Sequence, residues 1–282
     1  MNRPDALFLD IDGTILKSDH SLSDRMAEAI RAVKDAGTLV CLATGRSWEA
    51  LKPFYDRIGL DGPTVCYNGA FIVDGPGGRR IFEVDLDEEV GRAAIDEARS
   101  RDMELVAFRH SHLVYEKLGR FVEGYHHRTK LHGSLVDFDA YEHLEFTKAI
   151  IIAEPEGLPP VKASLEARFG PDRLSAMYSD ATFLELMAGG VNKGRGLREV
   201  CRLRGVDPGR TVAMGDGWND LDLLEAAGEA WVMGGAPPEL KARFPDHCIA
   251  PDSDNEGAAR VLEAMVEERL PDFLEEGRAS HR

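Results

Sequence analysis

The chain has 282 residues, 43% of them hydrophobic and spread along its length, so it is too long for one small domain and can bury apolar surface throughout, which argues against a long disordered segment. Its net charge of -16 opposes binding to nucleic acid or to an anionic membrane, both of which need concentrated Lys and Arg. Cys41, Cys66, Cys201 and Cys248 form no CxxC pair, the first residues carry Asp5, Asp10 and Asp12 where a signal segment would be apolar, and no apolar run nears the about 18 residues of a membrane span, so reduced thiols and a cytoplasmic setting are expected.

Ala6-Leu7-Phe8-Leu9 reads as a buried strand, and the stripe Met26, Ile30, Val33 predicts a helix that stops at Gly37. Thr38 to Ala43 predicts a second strand, and Ser47 caps a helix expected to reach about Ile58, with Pro53 shortening or kinking it. Thr64 to Tyr67 is a third strand. Phe71-Ile72-Val73 and Ile81-Phe82-Glu83-Val84 flank the turn-rich Asp74-Gly75-Pro76-Gly77-Gly78, which predicts a hairpin. From 85 to 187 the pattern mixes helices with strands such as Thr147 to Ala153 and Phe183 to Met187, as expected for an inserted α+β domain. Strand and helix alternate again from 188 to 282, with a helix over Lys193 to Arg204, a strand at Thr211 to Met214, a terminal helix over Glu256 to Leu274 and fraying at Ala279 to Arg282. The fold class predicted is α/β: a Rossmann-like parallel-sheet core, 1–84 and 188–282, interrupted by an α+β cap domain, 85–187.

Chemistry-bearing residues fall at the ends of these elements. Asp10-Ile11-Asp12-Gly13-Thr14 follows the first strand, where ligands bind in open α/β sheets, and places two carboxylates two residues apart. One can attack phosphorus while the other exchanges a proton with the leaving oxygen and with water. Thr44-Gly45-Arg46-Ser47 ends the second strand and offers a hydroxyl and amides to phosphoryl oxygens. Lys193, in Val191-Asn192-Lys193-Gly194, opens a helix where its ammonium can neutralise a phosphoryl group, and Gly215-Asp216-Gly217-Trp218-Asn219-Asp220 carries oxygen ligands suited to a hard cation such as magnesium. Taken singly, each has an ordinary reading as a capped turn or a solvated lysine.

Together, in the order Asp10/Asp12, Thr44, Lys193, Asp216/Asp220, they resemble the four motifs of the haloacid dehalogenase-like superfamily. Asp12 and Thr44 are only 32 positions apart, whereas Thr44 and Lys193 are 149 apart, so the large insertion follows the third strand. That layout, with Tyr67-Asn68-Gly69-Ala70 and Gly190 to Gly194 flanking the insertion, resembles the Cof-like branch with a type-two (IIB) cap. The resemblance implies a magnesium-dependent phosphatase in which Asp10 is the nucleophile, Asp12 the acid and base, and Thr44 and Lys193 phosphoryl ligands. Magnesium would be held by Asp10, the Asp12 carbonyl and Asp216, with Asp220 placed in the same metal site. Asn219 and Asp220 would also orient Lys193 and metal-bound water, while Gly45, Arg46, Asn68 and Asn219 complete the substrate contacts. The expected partner is a small phosphorylated metabolite, a sugar phosphate above all, and the chain a monomer or homodimer. A phosphosugar mutase and a phosphosugar-binding protein without turnover are the competing functions. Arg109-His110-Ser111-His112 and His126-His127-Arg128, in the insertion, read as solvated surface.

Overall fold

The computed structural model describes residues 3–274. Two compact units are present: described residues up to Arg46, Leu51–Ile81 and those from Asn192 onward form the first, and Ser47–Ala50 with Phe82–Val191 the second. The chain is of mixed α/β class.

The first unit is built on an eight-stranded sheet. Its order is Ile249–Ala250, Glu229–Met233, Thr211–Gly215, Ala6–Leu9, Leu39–Ala43, Pro63–Cys66, Phe71–Asp74 and Arg79–Glu83. The first six run parallel and Phe71–Asp74 turns antiparallel to Pro63–Cys66. Ala6–Leu9 is central and wholly buried, which is why it reads as an unbroken apolar run and shows no alternation. Helix Asp24–Asp35 begins where Met26 N–H donates to Ser23 Oγ at 3.0 Å, and the chain leaves it through Gly37 at φ 97°. Helix Trp48–Ile58 continues through Pro53 to the expected end at Ile58.

The predicted terminal helix is shorter than its apolar stripe. It spans Gly257–Val266, because Glu267 caps it and Glu268 takes a left-handed φ of 52°; the expected fraying at 279–282 lies outside the described residues. Among the described residues, no helix is long and apolar enough to cross a membrane.

The second unit has a six-stranded sheet ordered Leu174–Asp180, Phe183–Ala188, Lys148–Ile152, Glu104–Arg109, His112–Tyr115 and Ser134–Leu135. Helices Glu88–Ser100 and Leu158–Phe169 share its apolar core, in which Val90, Ala94 and Leu165 join Leu105, Ile151 and Leu184 of the strands. Alternate residues Lys148 and Glu185 belong to the other face of those strands and form a buried ion pair at 2.6 Å.

A sharp turn after Pro63–Cys66 positions part of the site. Tyr67, Asn68 and Gly69 all have positive φ, at 48°, 51° and 106°. Asn68 is buried, and Asn is among the few side chains that tolerate this region. A Cβ on Gly69 would lie 2.3 Å from the Asn192 carbonyl oxygen, a backbone atom that cannot swing away. Gly69→Ala should therefore cost about 3 kcal/mol, read as a lower urea midpoint, through overpacking and backbone strain together. Gly77→Ala, where no atom lies within 4 Å, should change stability by less than about 0.5 kcal/mol and serves as the control.

Candidate active site

Parallel pairing aligns Leu9 with Leu42 on one side and with Met214 on the other. The residues that follow these strands, Asp10, Thr44 and Asp216, therefore emerge at the same edge of the sheet. Asp10 N–H donates to the Met214 carbonyl at 3.0 Å and Thr44 N–H to the Val65 carbonyl at 2.8 Å, so sheet-like bonding continues into the site. The chain then turns away from Asp10 through Gly13, which has φ 76° and whose absent Cβ would lie 2.1 Å from Asp216 Oδ2.

Lys193 reaches this edge from the first turn of helix Lys193–Arg204. That turn is fixed by Asn192, whose Oδ1 accepts the Arg195 N–H at 2.7 Å. The lysine is fully buried and its Nζ donates to Asp10 Oδ1 and to Asp220 Oδ1, each at 2.5 Å. The second oxygen of Asp220 accepts the N–H groups of Asp216 at 3.1 Å and Gly217 at 2.9 Å. Asp220 thus fixes both the ammonium and the loop that carries Asp216.

Carboxylate oxygens of Asp10, Asp216 and Asp220 lie within 4.8 Å of one another. Burial, reinforced by Asp220, pushes Asp10 above the usual carboxylate range against the pull of the Lys193 ammonium. The same two causes raise Asp216 to about 6. Burial works against the charged form of Lys193, yet Asp10 and Asp220 outweigh it and hold the ammonium above the ordinary lysine range. One ammonium does not balance three crowded carboxylates, and an all-oxygen set with this excess negative charge fits a hard divalent cation.

The other half of the site surrounds Thr44. Its buried Oγ1 accepts the Arg46 N–H at 3.1 Å, which leaves the hydroxyl proton available for an incoming oxygen. The Arg46 carbonyl accepts Tyr67 N–H at 3.2 Å, and the Thr44 carbonyl accepts Asn68 N–H at 2.9 Å. Asn219 Nδ2 donates to Asn68 Oδ1 at 3.3 Å, and the Asn68 amide packs where a Cβ on Gly45 would meet it at 3.2 Å. All ten residues singled out from the sequence lie in the first unit.

A model of the haloacid dehalogenase-like hydrolases matches residues 7–262. The chain belongs to that family. It is 27% identical over 253 residues to an HMP-PP phosphatase of Yersinia pestis, covering 90% of this chain and 92% of that protein. It is also 28% identical over 274 residues to the 5-amino-6-(5-phospho-D-ribitylamino)uracil phosphatase YitU of Bacillus subtilis, covering 92% and 97%. A haloacid dehalogenase-like hydrolase from Bacteroides thetaiotaomicron superposes with a TM-score of 0.84 at 25% identity, over 93% of this chain and 99% of that one. The fold also matches a subclass IIB sugar phosphatase at a TM-score of 0.77 and 23% identity, covering 92% and 97%. This member of the family is accordingly a phosphoric monoester hydrolase with the Cof-like, type-two-capped fold.

One partnership is not visible in the motifs. The Arg46 guanidinium grips Asp12 with both Nε and Nη2, the Nε bond to Oδ2 measuring 2.8 Å, and His20 Nδ1 stands 3.6 Å from the same carboxylate. In the second unit, Arg109 pairs with Glu145 and Arg128 with Asp180, and His110 Nδ1 stands 3.0 Å from Glu83 Oε1, so these side chains meet acids of their own unit.

Proposed function

We propose that this phosphatase hydrolyses small phosphate monoesters, sugar phosphates among them, through an aspartyl-phosphate on Asp10, with magnesium as cofactor. The observation that carries the reading is Lys193, buried and bridging Asp10 to Asp220 beside Asp216. Asp10, Asp216 and the Asp12 carbonyl would hold the metal, with Asp220 behind them already engaged by Lys193 and two amides. The metal would supply positive charge that offsets repulsion between the Asp10 carboxylate and a phosphoryl dianion.

In the first step the Asp10 carboxylate forms a bond to phosphorus as the ester bond breaks, and Asp12 gives its proton to the departing alkoxide. Thr44 donates from its hydroxyl and Lys193 from its ammonium to the phosphoryl oxygens. In the second step Asp12 takes a proton from water, the water oxygen bonds to phosphorus, and phosphate and the Asp10 carboxylate are released. Gly45, Asn68 and Asn219 shape the contacts around the substrate. The insertion, 85–187 on its sequence boundaries, is proposed as the cap that recognises the leaving group. A phosphorylated small metabolite fits the activities of the two phosphatases to which the chain is similar, one of which acts on a phosphoribityl compound. A cytoplasmic setting is supported by four free cysteines.

The test is release of phosphate from p-nitrophenyl phosphate and from a panel of sugar, nucleotide and cofactor phosphates. We expect activity to disappear with EDTA and return with magnesium. Undiminished turnover after exhaustive chelation would refute the metal assignment, and an isomerised sugar phosphate without released phosphate would make the chain a mutase. Magnesium should also raise the melting temperature, because a ligand that binds only the folded state stabilises it by mass action.

A further inference from the structure

Arg46 was expected to contact substrate, but its side chain is already committed. Nε and Nη2 engage both oxygens of Asp12, which fixes the plane of that carboxylate as well as its distance. The guanidinium lies 5.5 Å from the centroid of the Phe54 ring, which holds its other side. Its backbone is equally constrained, with N–H on Thr44 Oγ1 at 3.1 Å and C=O on Tyr67 N–H at 3.2 Å. Asp12, by contrast, has a side chain 46% exposed; the His20 ring 3.6 Å away is itself 75% exposed, and the nearby Asp216 carboxylate repels Asp12 and does not anchor it. A half-exposed carboxylate would rotate freely without that fork. The orientation of Asp12 is therefore set by a residue whose own backbone is held by the Thr44 hydroxyl and the Tyr67 amide.

We propose that Arg46 is a positioning residue for Asp12, and that through it the core sets how well the enzyme expels poor leaving groups. The proposal rests on the reading of Asp12 as the acid that protonates the leaving alkoxide. General acids contribute about 10²- to 10⁴-fold, and only when held within hydrogen-bond reach of the proton's destination. An alkyl ester such as glycerol 2-phosphate needs that proton as its bond breaks; nitrophenolate departs with little help. Loss of Arg46 should therefore fall unequally on the two esters, whereas loss of a direct phosphoryl ligand would fall on both alike.

The experiment measures kcat/KM, which reports steps through departure of the alcohol, with glycerol 2-phosphate and p-nitrophenyl phosphate in the presence of magnesium. Arg46→Ala should lower the value about 100-fold for the alkyl ester and about fivefold for the aryl ester. Arg46→Lys, which keeps charge without the fork, should fall between, and Arg46→Gln provides a second truncation if the alanine variant melts below the assay temperature. In an Asp12→Asn background, Arg46→Ala should cost the alkyl ester less than about threefold more, since its effect passes through Asp12. Equal losses on both esters, or the full loss persisting in the Asp12→Asn background, would overturn the proposal and make Arg46 a phosphoryl ligand. If Asp12→Asn alone slows both esters equally, the acid role of Asp12 fails, and the coupling between the two substitutions still decides the role of Arg46.

Discussion

Asp10→Asn should reduce turnover by at least about 10⁴-fold while leaving the protein folded, because an amide matches the carboxylate in shape but does not attack phosphorus. The same substitution should stabilise the metal-free protein at and above neutral pH. Folding raises the Asp10 pKa above its unfolded value of 3.8, so ionisation of this group opposes folding. Its contribution is most favourable below the unfolded pKa and worsens as pH rises through the folded one. Removing the charge deletes that penalty and leaves Lys193 its bond to Asp220. Thermal melts in EDTA across a pH series should therefore diverge upward for the variant as pH increases. A variant that melts lower than the parent at every pH would show that the Lys193 contact outweighs crowding among the carboxylates. Wild-type-like phosphate release from the folded variant would eliminate the covalent mechanism.

Lys193→Met should produce the largest loss of stability among single substitutions in the site, roughly 3 to 5 kcal/mol, together with a fall in turnover of about 10³-fold. The side chain is completely buried and both its bonds are to buried carboxylates, so its removal leaves Asp10 and Asp220 facing each other without an intervening cation. Folding raises the lysine pKa above 10.5, so the contribution of this charge is fully present at neutral pH and is lost only in strong alkali. Adding Asp220→Asn to Lys193→Met should recover part of the urea midpoint by removing one uncompensated charge, but none of the activity. An unchanged midpoint in the single variant would mean that the ammonium is not what holds these acids together.

The α/β class was legible because its strands are written as continuous apolar runs, such as Ala6–Leu9 and Thr211–Gly215, each followed by a polar residue that physics places at the strand end. Helix Lys193–Arg204 has the bounds expected from the strand-helix alternation, and the structure adds its ends, an Asn192 cap and a left-handed Gly205. Spacing carried less about side-chain partners. Asp12 and Arg46 are 34 positions apart, and nothing local in either segment announces that a guanidinium fork will close on a carboxylate. The left-handed run at Tyr67-Asn68 was hidden for a related reason: Tyr ordinarily avoids that conformation, and here the Arg46 carbonyl holds its amide. At the other end, apolar periodicity persisted past Val266 although the backbone did not, since hydrophobic spacing reports which side would be buried and says little about where a helix stops.

The meeting of Gly69 with Asn192 makes the core a chain with a clasp. Gly69 sits against the Asn192 backbone, and a Cβ on Gly196, one turn into helix Lys193–Arg204, would meet the Val65 side chain at 2.4 Å, so strand Pro63–Cys66 with its following turn packs tightly on that helix. Whatever is threaded between those points inherits a closed loop, and lengthening such a loop costs only about 0.6 kcal/mol for each doubling. Beyond the two core strands Phe71–Asp74 and Arg79–Glu83, the insertion can thus be rewritten while the clasp keeps Lys193 registered against Asp10. On the proposed division of labour, new substrate preferences would then arise by grafting, without the proposed reacting atoms having to be rebuilt.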